Sequence, residues 1–329
     1  LPSPSEAATF RLRADCAAVA DGVADDTAAI QSCFNQAQVA GGVVVAEIGR
    51  YKTTACLTAS KSFSLIGEGY AGHLQYPLAP NSTVFLPAAN FLCINSNAPV
   101  LLEKFQVNYA PGANTFKAVI IDGAPGGFNS DTIVRDVFII NANQCLVTVN
   151  ASRWLIDHVV MEGCRQVSMV AAHVTNPDGG DGTIVNSVFS GQPTFAHLLY
   201  PSGGALRIIN NKFNGGGNAA IYILPDPCAG TPRLAGFGGP YITGNSIEGT
   251  PYGLIVQQQP GCDARLDQLI VLGNEIGASI KGVWLRSGVT GSWLRTVIVS
   301  SNIFIGTAAV DSLVIDPGSA TNIVQGLNA

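Results

Sequence analysis

From residue 133 onward, short apolar runs alternate with polar turns, and the alternation returns every two to three dozen residues. Segments 133–140, 155–163, 184–191, 208–215, 242–249, 271–277 and 299–306 share one plan: aliphatic residues, a polar turn, an apolar residue and usually a glycine. The turn residues align as Asp136, His158, Ser187, Asn211, Asn245, Asn274 and Asn302. Two positions beyond stand Phe138, Val160, Phe189, Phe213, Ile247, Ile276 and Phe304; two further on, glycine recurs at Gly191, Gly215, Gly249 and Gly306. A second apolar run follows each unit, as at 145–149, 220–224 and 282–285. Period-two alternation rich in β-branched and aromatic residues predicts strands, not helices. Several strands within a period of this length predict a solenoid. One coil cannot bury its inward side chains alone, whereas stacked coils bury a continuous column. The four successive asparagines, Asn211 to Asn302, predict a hydrogen-bonded amide ladder within the stack.

The same alternation assigns an outward column. With Leu254, Val256, Val283 and Leu285 inward, Ile255 and Trp284 point out, and so do Val147, Leu199, Tyr222 and Val314. Such a column needs cover. It would stack sugar rings, lie under a loop, or join subunits of a homo-oligomer; its aliphatic content favours the last two. Tyr222 and Trp284 are candidate substrate-binding residues on it, and Trp154 is a third that would line a groove or fill the core.

Eight cysteines, none in a C-x-x-C motif, point to disulfides and an oxidising compartment. Cys228 lies 17 residues after Asn211 and Cys262 lies 17 after Asn245 (228 − 211 = 262 − 245 = 17). Equivalent positions on neighbouring coils should sit about 4.8 Å apart, within disulfide reach, so a Cys228–Cys262 staple is expected. Cys145 and Cys164 flank successive turns and form the next expected pair. The opening Leu-Pro-Ser-Pro reads as the start of a processed, secreted chain or of a trimmed one.

Near the N-terminus come Asp21-Gly22, Asp25-Asp26-Thr27, Ala29-Ile30-Gln31, Gly41-Gly42, Gly49 and Tyr51, then Gly67 and Gly69 in the segment 64–72. This series resembles the opening motif of the pectate-lyase-like superfamily, with Ala20 in place of the first glycine and Glu47 in place of the usual proline. The resemblance implies an all-β fold: a right-handed parallel β-helix with a short N-terminal capping helix. It implies one domain over 1–329, with a cap at 1–42 and coils at 43–329. The residues themselves make sense as a cap. Asp26 or Thr27 can N-cap a helix, Ile30, Cys33, Phe34 and Ala37 form its apolar face, and Gly41-Gly42 ends it. Out of context Asp25-Asp26 would suggest a metal pair; in a cap it reads as structural.

Composition narrows the partners. Net charge is −5 with Lys and Arg scattered, so the dense cationic face that nucleic acid needs is not expected. No apolar run reaches the roughly 18 residues of a membrane-spanning helix. The resembled superfamily includes lyases, glycoside hydrolases, epimerases and tailspikes, which mostly handle a sugar polymer laid across the coils. A polysaccharide or oligosaccharide is therefore the expected partner, and cleavage of it by a secreted hydrolase or lyase the expected activity; a non-catalytic glycan-binding or tailspike-like adhesin is the alternative. The superfamily's Gly-His-Gly and Tyr-Gly-x-Asp-Pro-His signatures are missing, so no active site carries over.

Catalytic candidates come instead from turns. Asp178 and Asp181 share the glycine-rich turn 176–182, just after His173, and Asp226 lies in a turn after an equivalent strand. Three carboxylates on one edge would serve as acid, base and orienter in glycoside hydrolysis. They would also suit Ca²⁺ as an optional ligand, with no cofactor required; the plain alternative is solvated loop aspartates. For a lyase, Arg286, Lys281, His173 and His197 stand near strand ends. The small number of basic residues favours a neutral or weakly charged glycan.

Overall fold

The computed structural model describes residues 7–69, 81–112, 114–123, 129–172, 181–201, 205–224, 234–235, 239–258, 265–286, 294–306 and 311–328. Every strand pairing among them is parallel, and each strand pairs with strands one coil away rather than with its chain neighbour, the signature of a β-helix. Twelve strands build the first sheet, from Thr9–Arg11 to Ile323–Gln325. The second and third sheets are joined into one nineteen-stranded unit because Ser246–Val256 and Glu275–Leu285 run continuously round the corner between them. The winding is the right-handed parallel β-helix that the opening motif implies. Alternation aims one residue of each pair inward. Leu146, Met169, Leu198, Ile221, Leu254 and Val283 stack in register on the third sheet, and all are buried.

The helix Thr27–Ala40 closes the N-terminal end, burying Ile30, Cys33, Phe34 and Ala37, with the Phe34 ring tilted against Phe63 at 5.0 Å. It ends at Gly41, in the left-handed region at φ 62°. Asp26 occupies the N-cap position but makes no cap; its carboxylate accepts the backbone N–H groups of Val19 (2.6 Å) and Ala20 (3.1 Å), tying down the preceding turn. Asp25 accepts from Thr27 Oγ1 (2.5 Å), Thr54 Oγ1 (2.6 Å) and Thr27 N (3.0 Å), and these bonds, the Thr27 hydroxyl's first, hold it below the usual carboxylate range. Both aspartates are structural. The stretch before residue 43 is more than a cap, since Thr9–Arg11 and Asp21–Asp25 are the first strands of the first and second sheets.

The asparagine ladder is present and one rung longer than the repeat predicts. Each amide nitrogen donates to the Oδ1 of the next: Asn211 to Asn245 (3.0 Å), Asn245 to Asn274 (2.9 Å), Asn274 to Asn302 (2.9 Å) and Asn302 to Asn328 (3.2 Å). Each Oδ1 also accepts the preceding asparagine's backbone N–H, so buried groups at the corner are satisfied. In the two earliest coils the alignment needs correction by one residue. Asp136 (φ 53°) and His158 (φ 51°) occupy the left-handed corner shared by Asn186, Asn210, Gly244, Gly273 and Ser301. The inward slot after that corner holds Val137 and Val159, level with Ser187 and Asn211. The aromatic column therefore runs through Ile139 and Met161 to Phe189, not through Phe138 and Val160. Phe189 and Phe213 stack at 4.7 Å.

Three disulfides lie among the described residues: Cys16–Cys33, Cys56–Cys93 and Cys145–Cys164. The first pins the helix, and the others tie adjacent coils. Cys228 and Cys262 lie outside the described residues. Among the described residues no helix is long and apolar enough to cross a membrane.

Candidate functional site

The third sheet presents the outward column in the expected register. Cys93, Ile120, Val147, Val170, Leu199, Tyr222, Ile255, Trp284 and Val314 pair rung by rung. The chain itself covers part of it: Val147 and Ile255 are 4% and 2% exposed. The rest are half-buried.

Around the last rungs the column becomes chemically dense. Tyr222 Oη donates to Gln257 Oε1 at 2.7 Å, and Arg286 Nη1 donates to the same oxygen at 2.5 Å. The indole of Trp284 donates through Nε1 to Asp316 Oδ1 at 3.1 Å. Tyr252 stacks on the Trp284 ring at 5.4 Å, Lys281 Nζ lies 3.7 Å from its centroid, and the Arg286 guanidinium 4.5 Å from it. Two cations on one indole are a cation–π arrangement held by strand geometry. Phe195 meets Tyr222 edge-on at 5.2 Å. Burial pushes the Tyr222 phenol above its ordinary value, opposed by Arg286. These two cations stand together although basic residues are few in the chain as a whole.

Arg286, Lys281, Tyr222 and Trp284 are thus brought together from among the sequence candidates. Gln257, which links two of them, was missed; it is the residue immediately after the inward Val256, so the same alternation reaches it. Asp122, on the strand Lys117–Asp122 of this sheet, accepts from Asn150 Nδ2 at 3.3 Å and burial raises it above the usual carboxylate range, but it lies six rungs from Arg286 and outside the cluster.

The other candidates lie elsewhere. Asp181 is exposed at the start of the first-sheet strand Gly182–Val185, and accepts the Ala205 N–H at 3.2 Å. Arg286 leads toward Val297–Ser300, four first-sheet rungs further on, about 19 Å at ordinary strand spacing. Asp181 and Arg286 therefore do not form one site. Trp154 is 2% exposed and packs over Gly182, where a Cβ would come within 2.1 Å of the indole; it fills the interior and is not an open sugar platform. His197 is fully buried, 3.2 Å from Ser168 Oγ, with its pKa lowered by burial to about 4, so it is a core residue and not a surface base. His173, Asp178 and Asp226 lie outside the described residues. Among the described residues no three His, Cys, Asp or Glu side chains gather as a metal site.

The chain is similar along nearly its whole length to solved β-helix structures. The A-module of mannuronan C-5 epimerase AlgE6 from Azotobacter vinelandii shares 18% identity, covering 97% of this chain and 99% of that one, with TM-score 0.56. DFA-IIIase from Arthrobacter chlorophenolicus A6 shares 12% over 96% and 94%, with TM-score 0.59. The Streptococcus pneumoniae surface protein and adhesin PfbA shares 12% over 98% and 97%, with TM-score 0.55. At these identities the likeness establishes the fold alone. No family model and no curated protein sequence matches the chain.

Proposed function

We propose that this is an extracellular, carbohydrate-active β-helix that binds an acidic polysaccharide across the third sheet and cleaves it by β-elimination. The observation that carries the reading is the convergence of Lys281, Arg286 and the Tyr222 hydroxyl around Trp284 and Gln257. A uronate carboxylate beside two cations acidifies the adjacent C5–H bond. A base then takes that proton, a C4–C5 double bond forms, the C4–O bond breaks, and the departing oxygen is protonated. Tyr222, kept protonated by burial, is suited to the last step. Asp226, four residues beyond Tyr222 in sequence, is the favoured base, with His173 and Asp178 as alternatives. Similar structures include an epimerase of mannuronan and a DFA-IIIase, which agrees with a sugar ligand.

Binding without cleavage is the second reading. It is favoured by the occurrence of the same fold in a surface adhesin. Incubation with polygalacturonate, alginate, hyaluronan and neutral glucans separates the readings. Ultraviolet absorbance of unsaturated ends is expected with an acidic polymer, lowered about a hundredfold or more in Arg286→Ala. New reducing ends without unsaturation would mean hydrolysis. Retention in polymer-containing gels without product would mean binding only, and neither response would sink both readings.

The three disulfides support the extracellular placement. Calcium as an optional ligand of the turn aspartates Asp178 and Asp226 is a separate proposal, tested by turnover before and after chelation. A homo-oligomer through the uncovered part of the outward column is tested by mass in solution.

A further inference from the structure

A second groove runs over the first sheet, away from the Trp284 cluster. It consists of two adjoining depressions of about 420 and 360 Å³ that share Ala205 and Arg207. Two small residues, Ala205 and Gly239, are part of its lining. Gly239 cannot be larger, because a Cβ there would sit 1.2 Å from the Gln268 carbonyl oxygen. Asp181 and Gln268 close its two ends, and Thr183, Arg207 and Tyr241 line one side on consecutive rungs. From Asp181 to Gln268 is three rungs, about 14 Å, enough for a short oligosaccharide.

These wall residues are unspent. Among the described residues, the side chains of Thr183, Arg207, Tyr241 and Gln268 have no hydrogen-bond or ion-pair partner. Arg153, at the outer end, is by contrast occupied by a bidentate pair with Asp131 at 3.0 and 2.9 Å. We infer that this groove is a binding site for a neutral oligosaccharide. Sugar hydroxyls donate and accept at once. The groove offers them a donor-only guanidinium, an acceptor-only carboxylate, and hydroxyl and amide groups that do both. The Tyr241 ring supplies a surface for the apolar C–H face of a sugar. Asp181 and Arg207 lie in adjacent columns one rung apart, so their charges offset and a strongly charged ligand gains little. The site is independent of the cleavage reading, which concerns another sheet and an anionic polymer.

Isothermal titration with maltotriose, cellotriose, xylotriose and mannotriose tests the assignment, on wild-type protein and on Arg207→Ala, Tyr241→Ala and Trp284→Ala, each checked for an unchanged melting temperature. The expected result is that at least one trisaccharide binds wild-type and Trp284→Ala alike, and binds Arg207→Ala and Tyr241→Ala about tenfold more weakly. A double variant with Asp181→Asn should weaken binding further. The assignment is overturned if none of the four binds, if Arg207→Ala and Tyr241→Ala bind as wild-type does, or if only Trp284→Ala loses binding, which would move the sugar to the third sheet.

Discussion

Ala20 holds a left-handed backbone at φ 58°, where an L side chain is strained, and its Cβ faces Gly49, which has no room for one of its own. Glycine would relieve that strain but would also enlarge the unfolded ensemble, so the two effects oppose each other. The strain is the larger here, and Ala20→Gly is expected to raise stability by up to ~1 kcal/mol, read as a higher denaturant midpoint. His197 is a second residue with a measurable consequence. Its folded-state pKa, about 4, lies below the ordinary histidine value of roughly 6.5, so the unfolded chain binds the proton more readily. Its contribution is complete above about pH 6.5 and is lost as pH falls toward 4, on the order of 3 kcal/mol. Urea titrations across that window should show a shallower loss in His197→Phe than in wild-type; equal slopes would mean that other groups carry the acid sensitivity.

The asparagine ladder belongs to the scale of elements. Asn274 donates to Ile242 O, Leu272 O and Asn302 Oδ1, and accepts from the backbone and side chain of Asn245. Asn274→Ala would leave several buried groups unpaired at once, and is expected to cost about 3 kcal/mol or more. Asn328→Ala, at the ladder's end, should cost markedly less. Chemical denaturation of the two variants checks the ranking, and equal losses would show that the ladder does not act as a unit. The turn pattern itself was readable, but its phase in the first two coils was not. A left-handed corner favours Asn, Asp, His or Gly, and the ladder slot beside it favours Asn or Ser. Both look polar in sequence, so Asp136 and His158 read as ladder residues although Val137 and Val159 occupy that slot.

For the whole molecule, disulfides staple a solenoid whose strands otherwise hold only to neighbouring coils. Six of the eight cysteines pair among themselves, which leaves Cys228 and Cys262 for each other. Peptide mapping under non-reducing conditions is expected to recover a Cys228–Cys262 peptide beside the other three. Free thiols at both positions would remove the staple.

Local chemistry alone determined the strand periodicity, the outward column from Val147 to Val314, the helix face of Ile30 and Phe34, and the asparagine ladder. Each follows from a repeat that the backbone imposes: two residues in a strand, 3.6 in a helix, one coil in the solenoid. Only the tertiary structure decided which candidates meet. Stacking set Arg286 against Tyr222 through Gln257 and gave Trp284 two cations, sent Asp181 to another sheet, and buried Trp154 and His197. The reason is that contact between rungs depends on the length of every intervening turn, and turn lengths follow no period.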